Sequence, residues 1–209
     1  MKIIFFGDSI TDMGRYRDCD TVIDSYGYGF VQQIAANLTL KNPEKYQILN
    51  RGVGGDRVVD LYARIKKDVW NHKPDVLSIL VGANDVGHEI AAQNGVDIKR
   101  YEKIYRMMLD DTLERVKDIK IILCQPFIFA PLDEQNPNPY AEIWEYAKVV
   151  EKIAKDYNLP FVELQKYLDE AAKKTSSKNI LSDNCHPNPA GAKIIADRWL
   201  EVFKKEVDI

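Results

Sequence analysis

The chain has 209 residues, of which 45% are hydrophobic, and a net charge of -3. That length predicts one domain spanning residues 1–209, with apolar material enough for a substantial core. The slight acidity argues against nucleic acid as the main partner, because phosphate binding needs a clustered basic surface, and the pairs Lys66-Lys67 and Lys173-Lys174 read as solvated helix faces.

Ile3 to Phe6 is a short apolar run ending at Gly7, the pattern of a buried first strand. Phe30, Ile34 and Leu38 have helical spacing over residues 28–40. Gln47 to Asn50 reads as a second strand running into the glycines at 52, 54 and 55. Asp56 is placed to cap a helix carrying Val58, Val59, Leu61, Ile65 and Val69, which Pro74 closes. Val76 to Val81 is an apolar run broken only by Ser78, the strongest strand signal in the chain. Residues 97–117 are charged and helical, and Ile119 to Cys124 is another apolar run, closed by Pro126. The stretch 126–139 holds four prolines and reads as a surface loop. A helix over 140–157, a last strand from Phe161 to Leu164 and a helix over 164–174 follow. The final helix begins after Pro187 and Pro189 and runs to about Lys205, with Trp199 and Phe203 packed inside or against a second subunit of a homo-oligomer. Strands alternating with helices predict an α/β fold with a parallel sheet covered on both faces.

In such sheets the functional loops leave the carboxyl ends of the strands. Gly7-Asp8-Ser9-Ile10 follows the first strand, Gly52-Val53-Gly54-Gly55-Asp56 the second, and Gly82-Ala83-Asn84-Asp85 the third. Asp183-Asn184-Cys185-His186-Pro187 precedes the last helix. A serine acts as a nucleophile only with a base to take its proton and a third group to orient that base. Ser9, His186 and Asp183 are the right types, and three residues of spacing let one turn bring Asp183 beside His186. The Ser9 N–H, a glycine N–H of the second cluster and the Asn84 amide are candidate oxyanion donors. Taken singly, each has a plainer reading: Ser9 as a helix cap, Gly55 and Asn84 as turn residues, and Asp183 and His186 as exposed loop residues. The conjunction favours the catalytic set.

These clusters resemble the conserved blocks of the SGNH, or GDSL-type, serine hydrolases. Four blocks appear in order, from Gly7 to Pro187, with Ile10 where leucine is common. The resemblance implies a flavodoxin-like three-layer sandwich with five parallel strands. It implies Ser9 as nucleophile, Gly55 ahead of Gly54 and Asn84 as oxyanion donors, and Asp183 and His186 as the rest of the triad. No metal or organic cofactor is implied. Ile10-Thr11-Asp12 with Gly14-Arg15, and Asn84-Asp85-Val86, look like the small carbohydrate acetylesterases, so the expected partner is a small-molecule or oligosaccharide ester such as an acetylated xylan fragment. Lysophospholipase, arylesterase and thioesterase activities on longer acyl chains are the alternative. Tyr16, Tyr26, Tyr28, Phe127, Phe129 and Trp144 are the aromatics available to line the cleft, with residues 126–139 as a wall.

Three rivals are weaker. A dinucleotide site wants a third glycine where Arg57 stands. A non-catalytic binding module has no need of a proton relay. A metal hydrolase is disfavoured because His72, His88 and His186 form no ligand cluster, and His72 and His88 read as surface residues. Cys185 as a nucleophile is disfavoured because side chains adjacent in sequence usually point apart. Four apolar residues near the N-terminus are too few for a signal-peptide core, and nothing approaches the ~18 apolar residues of a membrane span. With three cysteines in no metal-type spacing, a cytoplasmic, reduced protein is expected.

Overall fold

A computed structural model describes residues 1–20, 22–128, 140–183 and 185–207. Among these residues, five strands form one parallel sheet in the order β2-β1-β3-β4-β5. They are β1 (Lys2–Gly7), β2 (Gln47–Gly52), β3 (Val76–Leu80), β4 (Lys120–Cys124) and β5 (Phe161–Val162). This is the flavodoxin-like order, with its switch point between β1 and β3. Among the described residues, eight α-helices accompany the sheet: α1 (Ser9–Asp12), α2 (Phe30–Lys41), α3 (Val58–Asp68), α4 (Ala83–Ala92), α5 (Ile98–Arg115), α6 (Ile143–Asp156), and, after the last strand, α7 (Gln165–Lys174) and α8 (Pro189–Glu206).

Alternation along β1 explains the layers. Ile3 and Phe5 point to one face, where they meet Ile34 of α2, Leu168 of α7 and Trp199 of α8. Ile4 and Phe6 point to the other, among Leu61 of α3, Tyr105 of α5 and Val150 of α6. Both faces are therefore sealed, as the apolar runs require. Trp199 and Phe203 are fully buried and stacked, with ring centroids 4.8 Å apart, so they belong to the core. The Trp199 indole N–H donates to Ser78 Oγ at 2.9 Å, so its polar atom is satisfied within the core. No helix among the described residues is long and apolar enough to cross a membrane.

Three elements differ from expectation. Asp56 does not cap α3. The free N–H groups at that end go to Asp60, from Arg57 at 2.9 Å, and to Asp85, from Val58 at 3.0 Å, while the Asp56 carboxylate pairs with Arg64 at 2.6 Å. Residues after Gly82 form helix α4 rather than a simple turn. β5 pairs over two residues only, Phe161 and Val162, instead of four.

Register sets the level of the functional loops. Gly7 pairs with Gly52 on one side and Leu80 on the other. The loops after β1, β2 and β3 thus leave the sheet side by side at one edge.

Candidate active site

Asp8, not Ser9, caps α1, accepting the Ile10 N–H on Oδ1 at 2.9 Å. Ser9 is consequently the first residue of that helix, with its hydroxyl turned to the loop before α8. That loop is a tight reversal: Leu181 bridges Pro187, and the Ser182 N–H donates to the His186 carbonyl at 2.8 Å. Asp183 Oδ1 accepts the N–H groups of Cys185 and His186, each at 2.7 Å, which fixes the carboxylate. Its other oxygen lies 2.8 Å from His186 Nδ1, and His186 Nε2 lies 2.8 Å from Ser9 Oγ. Partial burial pushes the Asp183 pKa up, but the two N–H groups and the imidazole outweigh it and hold the carboxyl below its ordinary range. An ionised Asp183 keeps the proton on Nδ1 and leaves Nε2 to accept from the serine. Asn184 lies outside the described residues.

The oxyanion candidates converge on the same edge. Gly55 has φ +88°, backbone that a side chain adopts only under strain. The Gly54 N–H is committed to Asp12 Oδ2 at 3.0 Å. Among the described residues the N–H groups of Ser9 and Gly55 make no hydrogen bond. Asn84 lies in the first turn of α4, beyond Gly82, whose φ of +145° turns the chain off β3. One amide hydrogen of Asn84 goes to the Asp56 carbonyl at 3.0 Å, leaving the second to point elsewhere.

The sequence offers Asp12 only within the Ile10-Thr11-Asp12 motif and His88 only as a surface residue, neither with a role in the site. Asp12 is buried, accepts from Gly54, and forms ion pairs and hydrogen bonds with Arg17 and the Arg15 N–H. It holds the glycine loop against α1. His88, expected at the surface, is half-buried in the wall of the site, and its ring lies 4.0 Å from where a Cβ of Gly55 would be. It stands four residues after Asn84, on the same helical face, a signal available only once α4 is recognised. His72 is likewise half-buried, 3.4 Å from Arg51. Beneath the serine, burial of Asp8 pushes its pKa up to about 7, and burial does the same to Asp85.

Two depressions of about 370 Å³ each meet at Ser9 and His186. One is lined by Asp12, Gly14, Tyr28 and Ser182, with the Tyr28 ring 66% exposed. The other is lined by Ala83, Asn84, Ile128, Tyr140 and Cys185. Burial pushes the Cys185 thiol up to about 12, so it is protonated near neutrality. Of the other aromatics proposed for the cleft, Phe127 is core, Tyr26 packs against the core, and Tyr16 and Trp144 are exposed away from Ser9. Phe129, and the wall proposed for 126–139 beyond residue 128, lie outside the described residues.

Residues 5–194 match the GDSL-like Lipase/Acylhydrolase family. The sequence is 34% identical over 205 residues to an acetylxylan esterase of Geobacillus stearothermophilus, covering 95% of this chain and 92% of that protein. A structure described as a GDSL-like lipase from Parabacteroides merdae superposes with a TM-score of 0.90 at 32% identity, covering 97% and 95% of the two chains. The Geobacillus esterase structure superposes with a TM-score of 0.85 at 33% identity, covering 96% and 93%. Catalytic mutants of that esterase replace a serine, or an aspartate and a histidine three positions apart, by alanine.

Proposed function

Because the chain belongs to the GDSL-like lipase/acylhydrolase family and is an ester hydrolase, we propose that it removes acetyl groups from carbohydrates through an acyl-enzyme on Ser9. The observation that carries this reading is the unbroken line from Asp183 through His186 to Ser9, at 2.8 Å per contact. His186 Nε2 takes the hydroxyl proton as Ser9 Oγ attacks the ester carbonyl. Charge that develops on the carbonyl oxygen is met by the Ser9 and Gly55 N–H groups and the second Asn84 amide hydrogen. His186 then protonates the departing sugar hydroxyl, and water repeats the cycle on the acetyl-serine. The Geobacillus acetylxylan esterase and its catalytic mutants support both the triad and the substrate class. So does the exposed Tyr28 ring beside polar Asp12 and Ser182, a surface suited to a sugar.

One observation favours a second reading. The depression lined by Ala83, Ile128 and Tyr140 holds about 370 Å³, more than a two-carbon acyl group fills, so longer acyl chains are the alternative. A p-nitrophenyl ester series from acetate to long chains, run with wild type and Ser9→Ala, separates the two. Activity confined to acetate and abolished in Ser9→Ala is the expected result. A rate that rises with chain length moves the substrate to lipid or thioester. Substantial turnover by a folded Ser9→Ala protein overturns the mechanism.

A further inference from the structure

A third cavity, of about 430 Å³, runs beside the carboxyl end of edge strand β2 and is rich in cations. Most of them are matched. Arg51 makes a two-pronged pair with Asp20 at 2.6 Å, and Arg64 pairs with Asp56 at 2.6 Å and Asp68 at 2.7 Å. Arg17 is tied to Asp12. Arg15 and Lys67 are different. Arg15 uses only Nε, donating to the Gly52 carbonyl at 2.8 Å, and among the described residues its two terminal nitrogens have no acceptor. Lys67 is exposed and makes no ion pair among the described residues. Burial and the neighbouring Arg51, Arg17 and Arg64, opposed by Asp12, push the Arg15 pKa down. A half-buried guanidinium facing like charges, with its fork open to a cavity, is a receptor for an anion.

The cavity adjoins the catalytic edge. Val53 lines it, and Gly55 lies two residues further along, a span of at most about 7 Å. Arg17 also lines it, and its partner Asp12 lines the depression at Ser9. An anion seated there is within one or two sugar units of an ester held at Ser9.

We propose that this cavity is a subsite for a carboxylate carried by the ester substrate, a uronate near the acetylated sugar, gripped by the Arg15 fork with Lys67 adding charge. The proposal rests on the carbohydrate-esterase reading for its substrate and deepens it. It makes the preferred substrate an acidic oligosaccharide rather than a neutral one.

The test compares kcat/KM for acetylated xylo-oligosaccharides with and without a uronate side group, in wild type, Lys67→Glu and Arg15→Gln. Melting curves check that each variant is folded. Wild type is expected to favour the acidic substrate about tenfold, the lower end of what a charge-assisted contact supplies. That ratio should fall to about one or below in both variants, and shrink in wild type at high salt. Calorimetry with free glucuronate, which needs no turnover, should show binding by wild type that Lys67→Glu loses. Glucuronate binding without turnover of either substrate would keep the subsite and remove the esterase reading. Equal kcat/KM for the two substrates overturns the proposal. Binding of inorganic phosphate but not glucuronate also overturns it, in favour of a free-anion site.

Discussion

Replacing Asp8 by asparagine separates the electrostatics beneath Ser9 from the chemistry proposed for it. Asp8 is 1% exposed, and its Oδ2 has no hydrogen-bond partner among the described residues. Burial is the largest influence on it and Asp56 adds repulsion, while the Ile10 N–H and His186 oppose them; the pKa rises from 3.8 to about 7. Between those two values the folded chain keeps a proton that the unfolded chain has lost. Stability contributed by Asp8 is therefore complete below pH 3.8 and gone above about pH 7. The slope for one group is about 1.4 kcal/mol per pH unit, so the window is worth on the order of 4 kcal/mol. That is a large share of the roughly 5–15 kcal/mol that holds a domain together. Asparagine is neutral throughout and removes the slope. Its amide adds a buried donor, at about 1–3 kcal/mol, but that offset is the same at every pH. Urea unfolding of wild type and Asp8→Asn from pH 5 to 8.5 reads the difference directly. The variant should gain on wild type by about 2–3 kcal/mol from pH 5 to about pH 8 and then run parallel to it. Curves parallel from pH 5 upward would refute a buried, late-titrating Asp8.

Two further outcomes concern the proposed oxyanion donors and the loop that holds them. Asn84→Ala should lower kcat on p-nitrophenyl acetate about 10²–10³-fold with little change in KM, because the donor acts on charge present only in the transition state. A loss confined to KM would reassign Asn84 to substrate binding. Asp12→Ala frees the Gly54 N–H from its 3.0 Å bond and should also act on kcat, by about tenfold or more, as the loop carrying Gly55 loosens. Partial recovery in Asp12→Asn, which keeps an acceptor but not the charge, would separate positioning by the hydrogen bond from the ion pair with Arg17. Unchanged kinetics in a folded Asp12→Ala protein would remove Asp12 from the site.

The sheet is readable because β1, β3 and β4 are buried on both faces and so carry mostly apolar runs, broken in β3 only by Ser78. β5 was overestimated because two pairing residues leave little pattern and Leu164 is core without being strand. Helix α4 escaped because Gly82 reads as a turn and Gly87 interrupts its middle, yet its first turn supports Asn84 and Asp85. Ser9, Gly55, Asn84, Asp183 and His186 stood out as short motifs at strand ends or before α8, and the fold brings them to one edge. Asp12 stands in the Ile10-Thr11-Asp12 motif, but nothing local gives its role. Its meaning lies in a bond to Gly54, 42 positions away, which no local spacing encodes. Asp56 failed as a cap for the same reason, since Asp85 reaches across from α4 to Val58.

Ser9 and His186 are 177 positions apart, and the histidine precedes α8 by only three residues. The loop carrying it is anchored by the docking of that helix, with Gln33 of α2 reaching the Pro189 carbonyl at 3.2 Å and Phe5 of β1 meeting Trp199 at 4.9 Å. During synthesis Ser9 leaves the ribosome 177 residues before His186. On the proposed mechanism, esterase turnover therefore reports completion of the native topology, because a nascent or clipped chain lacking α8 leaves Ser9 with no held imidazole beside it.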